Sequence, residues 1–310
     1  MILPEPSRGM RRYSGLSVGE PEHDPLRARG HVRIILTGVL ILALLVSSTL
    51  WLLWDNHRLQ VSRVEVSVPG LAQDLDGTRI VQISDLHAAD HRGFHERILA
   101  ETAAASPDVI ALTGDLIDVR TQDTTATRDL LTSLGELAPT YAVLGNHEAD
   151  SSLRDQFLDD LDTAGVEVLR GRTTTATLDG GALHLGGLDD PRVYRADGRD
   201  LPDTAQETAR LVAGQQGPLI LLAHRPELLE DYAAGGASVV LSGHAHGGQV
   251  RIPFVGGLFA PHQGVLPELT EGVHTEAGTQ MVISRGLGNS ILGVRVNNPR
   301  ELVVVTLRAV

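Results

Sequence analysis

Five short apolar stretches of this chain each end in side chains able to bind a metal ion, and that repetition limits the possible folds sharply. Arg79 to Ser84 is followed by Asp85-Leu86-His87, and Val109 to Thr113 by Gly114-Asp115-Leu116-Ile117-Asp118. Tyr141 to Leu144 is followed by Gly145-Asn146-His147-Glu148. Further on, Pro218 to Ala223 ends at His224, and Val239 to Ser242 at Gly243-His244-Ala245-His246. Apolar runs this short, bounded by Gly and Pro, read as buried strands. Further strands are expected at 61–68, 281–284 and 302–307, and helices near 94–104, 126–137, 152–164 and 204–212. The alternation predicts an α/β domain with helices covering its sheets. In such a domain the carboxyl ends of the strands face one crevice, so these distant residues should meet.

The spacing has a chemical reading. In extended backbone, residues two apart point the same way, so Asp85 and His87 are expected to grip one ion while Leu86 turns to the core. His244 and His246 repeat the arrangement. The chain has no cysteine, so a metal must be held by nitrogen and oxygen, a donor set that suits Mn, Fe or Zn. All 26 basic residues are arginine, which excludes Schiff-base and lysine-nucleophile chemistry.

The set Asp-x-His, Gly-Asp-x-x-Asp, Gly-Asn-His-Glu, an isolated His and Gly-His-x-His resembles the calcineurin-like metallophosphoesterase superfamily. Within it the likeness is to the YkuE-like phosphodiesterase branch. It runs from about Val61 to the C-terminus and includes Gly247-Gly248-Gln249 and the segment from Ser284 to Ser290. The resemblance implies a four-layer αββα sandwich and a hydrolase working with two divalent metal ions. Carried over residue by residue, it implies that Asp85, His87 and His246 hold one metal and Asn146, His224 and His244 the other. Asp115 would bridge them, His147 would be the catalytic histidine, and Asp118 the acid that orients it. Two ions sharing one water would make hydroxide available near neutral pH. Arg285 and Asn289 are candidates for contact with substrate phosphate, an ion pair closing a loop being the alternative for Arg285. Glu148 is expected to fix its turn, and His91 and His95 to lie at the surface. The segment from Pro253 to Gln280, with His262 and His274, is expected as a loop over the site.

Ahead of this domain, Ile34 to Trp54 is uncharged and apolar over 21 residues. As a helix it would span ~31 Å, the thickness of a bilayer's hydrocarbon core. Residues 1–33 are Pro-, Gly-, Ser- and Arg-rich and read as a disordered tail, giving three segments: 1–33, a transmembrane helix at 34–54, and a catalytic domain at 59–310. Six arginines precede the apolar run while only Arg58 and Arg63 follow it closely, so the N-terminus is expected in the cytoplasm and the domain outside. Residues 55–310 carry 20 Arg (26 − 6) and 35 acids (39 − 4), a net charge of −15, which argues against a nucleic-acid polymer as partner. A protein serine/threonine phosphatase of related design would have arginine where this chain has Val119 and Leu144. The resemblance to the YkuE-like branch implies a phosphodiester or pyrophosphate as substrate. The resemblance extends to enzymes that cleave UDP-diacylglucosamine, so a lipid-linked substrate is anticipated. A phosphomonoester is the second choice, and a non-catalytic tethered metal-binding domain the contrasting one.

Overall fold

The computed structural model describes residue 15 and residues 25–89, 93–289 and 293–310. His91, Ser290 and most of the expected tail lie outside the described residues. The chain forms two units, Met1–Leu50 and Trp51–Val310. Residues 25–50 of the first belong to α1 (Pro25–His57), whose last residues belong to the second unit. Its stretch Arg33–His57 is long and apolar enough to cross a membrane. The helix exceeds the expected 34–54 at both ends, and 25–33 is helical rather than tail. Extending a nucleated helix costs little per residue, and proline suits its first position, where the missing N–H has no partner to lose.

In the second unit the elements follow the expected alternation. They are β1 (Leu59–Val68), β2 (Arg79–Ile83), α2 (Phe94–Ala105), β3 (Val109–Thr113), α3 (Thr125–Gly135), β4 (Thr140–Val143), α4 (Asn146–Asp150), α5 (Arg154–Thr163) and β5 (Glu167–Val168). There follow the hairpin β6 (Arg172–Leu178) and β7 (Gly181–Leu188), then α6 (Pro191–Ala196), α7 (Thr204–Ala213), β8 (Leu219–Ala223), α8 (Leu229–Ala234) and β9 (Val239–Ser242). Two small hairpins come next, β10 (Arg251–Ile252) with β11 (Gly256–Gly257) and β12 (Phe259–Ala260) with β13 (Gly264–Val265). The chain ends with β14 (Gly272–Glu276), β15 (Thr279–Ile283) and β16 (Arg300–Ala309).

The long strands form two six-stranded sheets, ordered β1-β16-β2-β3-β4-β5 and β14-β15-β9-β8-β7-β6. Alternate residues of single strands separate the layers, as the period of two requires. On β16, Val303, Val305 and Leu307 join the core between the sheets, while Leu302 and Val304 face the helices with Phe94, Ile98, Leu131 and Phe157. On β8, Ile220 and Leu222 enter the same central core, and Leu219 and Leu221 pack outward with Leu211, Leu229 and Tyr232. This is the four-layer αββα sandwich that the resemblance implied.

The segment 253–280 is not a plain loop, since it folds as the two hairpins and the edge strand β14. Strands of two residues carry no readable periodicity, and positive-φ glycines open β11, β13 and β14 at 256, 264 and 272, with another at 278 in the turn between β14 and β15. Within the first sheet β2, β3 and β4 run parallel with Ile83 beside Leu112 and Thr113 beside Val143. In the second, β8 and β9 run parallel with Leu222 beside Leu241. Their carboxyl ends are thus level within each sheet, where the polar motifs begin.

Candidate metal centre

The motifs from both sheets meet. Ligand-type atoms of Asp85, His87, Asp115 and His246 lie within 4.8 Å of one another, and so do those of Asp115, His224 and His244. Asp115 belongs to both groups. His87 Nε2 stands 3.2 Å from His246 Nε2, and His246 Nε2 3.3 Å from Asp85 Oδ1. On the other side, His224 Nε2 lies 3.0 Å from Asp115 Oδ2 and 3.2 Å from His244 Nδ1. All these side chains are buried. Asn146 is buried too, beside Gly145, and its Oδ1 has no hydrogen-bond donor.

The local backbone departs from the extended form expected for Asp-x-His and His-x-His. Asp85, His87, Asp115, His244 and His246 all adopt left-handed φ, between 47° and 68°. Non-glycine residues rarely sit there, and clusters of such strain mark functional sites. Leu86 still turns into the core, but the two neighbours reach the site through a tight turn and not along a strand. Compensating bonds hold the turns. Glu148 accepts backbone N–H bonds from Asp115, Leu116, Ile117 and Gly145 at 2.6–3.1 Å, tying the turn after β3 to that after β4. Asp85 accepts the N–H of His244 at 3.1 Å, joining the two sheets. Close approach explains Gly145, since a Cβ there would lie 2.3 Å from Asp115 Oδ1. Glu148→Ala is expected to cost roughly 3–5 kcal/mol, because four buried donors lose one acceptor. Urea unfolding would read this, and an unchanged midpoint would contradict it.

The electrostatics fit a cation. His224 Nδ1 faces the carbonyl of Thr113 at 2.7 Å, so Nδ1 carries a proton and Nε2 is the atom turned to Asp115. Burial opposes charge on this ring, yet the carboxylates of Asp115 and Asp85 push its pKa up to about 10. Burial lowers His87 to about 3 and holds His244 and His246 well below their usual range, leaving neutral imidazoles of the kind metals bind. Burial raises Asp85 to about 6, whereas Asp115 stays well below the carboxylate range because His224, His147 and His87 outweigh its own burial. Neutral nitrogens, carboxylates and an amide oxygen without a donor match the sulfur-free set of a borderline divalent metal.

The remaining candidates are placed as follows. His147 packs edge-on against His87 with ring centres 4.7 Å apart, and its Nε2 lies 3.9 Å from Asp115 Oδ2. At 22% side-chain exposure it is the most open of the cluster formed with Asp118 and His87. Asp118, expected to orient His147, shares with His147 and His87 a cluster whose ligand-type atoms lie within 4.8 Å of one another; His87 Nδ1 stands 3.8 Å from it, and Arg120 grips it at 2.7 and 3.0 Å. Arg285 is buried with its guanidinium held by Glu301 at 2.9 Å and Glu271 at 3.3 Å, the loop-closing ion pair. Asn289 is used likewise, accepting from Arg295 Nε and donating to the carbonyl of Gly293.

One residue of the site was not picked out by sequence. Arg295 is fully buried with its NH2 3.3 Å from His246 Nδ1, and burial lowers its pKa to about 9. An arginine flanked by two valines gave no signal beyond the cost of burying it. His262, on the turn of the second small hairpin, places Nδ1 3.2 Å from His244 Nε2 and 3.7 Å from Glu227.

The calcineurin-like phosphoesterase family matches residues 78–248, more than half of the chain. The chain is 31% identical over 238 residues to the phosphodiesterase YaeI of Escherichia coli, covering 76% of this chain and 79% of that protein. It is 28% identical over 260 residues to the uncharacterized metallophosphoesterase YkuE of Bacillus subtilis, covering 82% and 87%. A zebrafish protein described as a transmembrane protein with a metallophosphoesterase domain is 29% identical over 236 residues, 69% of this chain and 52% of that one. The chain belongs to the calcineurin-like phosphoesterase family and is a metal-dependent hydrolase of phosphoric esters.

Proposed function

We propose that this protein is a membrane-anchored, dinuclear-metal phosphodiesterase or pyrophosphatase acting on a lipid-linked substrate such as a nucleotide-sugar lipid. The observation that carries the dinuclear reading is the sharing of Asp115 by two buried ligand groups. In this reading Asp85, His87 and His246 hold one ion, Asn146, His224 and His244 the other, and Asp115 lies between. When bound, two divalent ions polarise phosphoryl oxygens and lower the pKa of a shared water. The chain's own residues do the rest. Thr113 fixes the tautomer of His224, so that Nε2 faces the centre. Glu148 holds the Asp115 turn in its strained form. His147, at the open side, donates a proton from Nε2 to the leaving oxygen, and Asp118 with Arg120 steadies the neighbouring His87. The diester preference rests on the likeness to YaeI, which is named a phosphodiesterase.

The anchor reading rests on Arg33–His57, which spans about 37 Å at ~1.5 Å per residue. With arginines concentrated ahead of it, the N-terminus lies in the cytoplasm and the domain from residue 59 on the outer side. A tether holds the catalytic domain at the bilayer surface, which favours a lipid-linked substrate. The test is turnover by the purified full-length chain in detergent, supplied with Mn, on bis-p-nitrophenyl phosphate, p-nitrophenyl phosphate and a UDP-linked lipid. Diester or pyrophosphate cleavage that vanishes with EDTA and returns with Mn is expected. Cleavage of the monoester alone would overturn the substrate reading, and none with metal bound would overturn the enzyme mechanism.

A further inference from the structure

Outside α1, twelve large hydrophobic residues are exposed among the described residues, and six of them fall in one stretch of fifteen. They are Ile252, Phe254, Val255, Phe259, Val265 and Leu266, on the β10–β11 and β12–β13 hairpins. Residues 252–267 contain no Asp, Glu, Lys or Arg, although residues 55–310 as a whole carry a net charge of −15 (20 − 35). Phe254 stands fully in solvent at the first turn with φ of 67°, a costly conformation for a bulky side chain that turns it outward. Water-soluble surfaces scatter such residues singly, and a contiguous set marks an interaction surface.

These hairpins are not loose. Leu258 N–H donates to Gly248 O at 3.2 Å and Val250 O at 2.8 Å, and Leu266 N–H to Leu258 O at 2.9 Å. Gly248 immediately follows the His-Ala-His-Gly turn of the metal centre, and His262 reaches His244. One segment, 295–298, bonds both to the base of the first hairpin and to the end of α1. Val250 bridges Val296, and Arg251 N–H donates to Val296 O at 2.9 Å. The adjoining Arg295 exchanges backbone hydrogen bonds with the side chain of Asn56, and Asn298 N–H donates to Asp55. Trp51, Leu53 and Trp54, on the same final turns of the helix, are exposed.

We infer that the two hairpins form an apolar wedge that enters the interface of the bilayer crossed by α1, seating the metal centre against the lipid surface. The inference rests on the membrane-anchor reading of α1. The occupant is lipid because the wedge and the helix end share one scaffold, the segment from Arg295 to Asn298. A phosphoester embedded in the membrane then meets the metal centre at the interface, beside His262.

The absence of native cysteine makes single labels unique. Full-length chains with Phe254→Cys, Val119→Cys or Leu44→Cys, each carrying an NBD fluorophore, are reconstituted in phosphatidylcholine vesicles containing nitroxide-labelled phosphatidylcholine. The labels at 44 and 254 should be quenched and that at 119 should not, with 254 placed ~5–10 Å below the headgroups. Quenching at 44 but not at 254 overturns the wedge and leaves the anchor, and quenching at neither overturns both. A blue-shifted but unquenched 254 means that protein covers the patch, which also overturns the wedge. In a second measurement, the combined Phe254→Glu and Val255→Glu variant should lose several-fold activity on a dialkyl-anchored p-nitrophenyl phosphodiester in vesicles. It should keep its rate on bis-p-nitrophenyl phosphate, and equal effects on both substrates overturn the wedge. Should the unaltered chain cleave neither diester, the fault lies with the proposed reaction, and the quenching pattern still decides the wedge.

Discussion

Asp115→Ala is expected to leave the purified protein with little bound metal and to lower diester turnover by roughly 10³-fold or more, the several kcal/mol of charge stabilisation that two ions supply. The reason is positional. Asp115 is the one side chain common to both ligand groups, and its removal strands His224 against an uncompensated pocket. Its Oδ1 also accepts the backbone N–H of His147 at 2.8 Å, so the alanine variant loses a structural bond as well. Asp115→Asn separates the two effects, because an amide oxygen can keep that hydrogen bond but supplies no negative charge between the ions. Thermal unfolding of the metal-free proteins should then place Asn nearer to the native chain than Ala, while metal analysis finds both depleted. A fully active Asp115→Ala would be fatal to the bridging assignment.

The second large effect is the reverse in kind. His147→Ala should retain both metals and still lose 10² to 10⁴ in kcat, the usual worth of a positioned proton donor, roughly 3–5 kcal/mol. Its backbone N–H, which holds Asp115, survives the substitution, and its ring sits at the open edge of the cluster. The loss should shrink for substrates with an acidic leaving group such as p-nitrophenol, which leaves without a donated proton. Equal losses on alkyl and aryl diesters would remove the proton-donor role, and a metal-depleted variant would move His147 among the ligands.

How much of this was legible beforehand follows from the range over which each feature is encoded. Strand ends, helices and the donor types of the centre were readable because period-two burial and a terminal Asp, His or Asn are local properties. The four-layer sandwich came from the resemblance, and the residue pattern alone supported only an α/β domain with covered sheets. The left-handed turns at Asp85, His87 and His244 were not legible. They are strained, and bonds from other strand ends hold them, the His244 N–H to Asp85 and the His87 N–H to the carbonyl of Asp115. The same holds for Arg285, whose Glu301 partner lies 16 residues away.

By itself the sequence determined which atoms can bind metal, that no sulfur or lysine takes part, and that an uncharged helix precedes an acidic domain. Only the tertiary structure decided that Arg295 backs His246, that His262 reaches His244, and that the uncharged stretch 252–267 forms exposed hairpins. The physical reason is sequence distance. Residue type and local period are written along the chain, but a shared carboxylate, a buried cation and an unpartnered apolar surface exist only once strands more than a hundred residues apart close on one another.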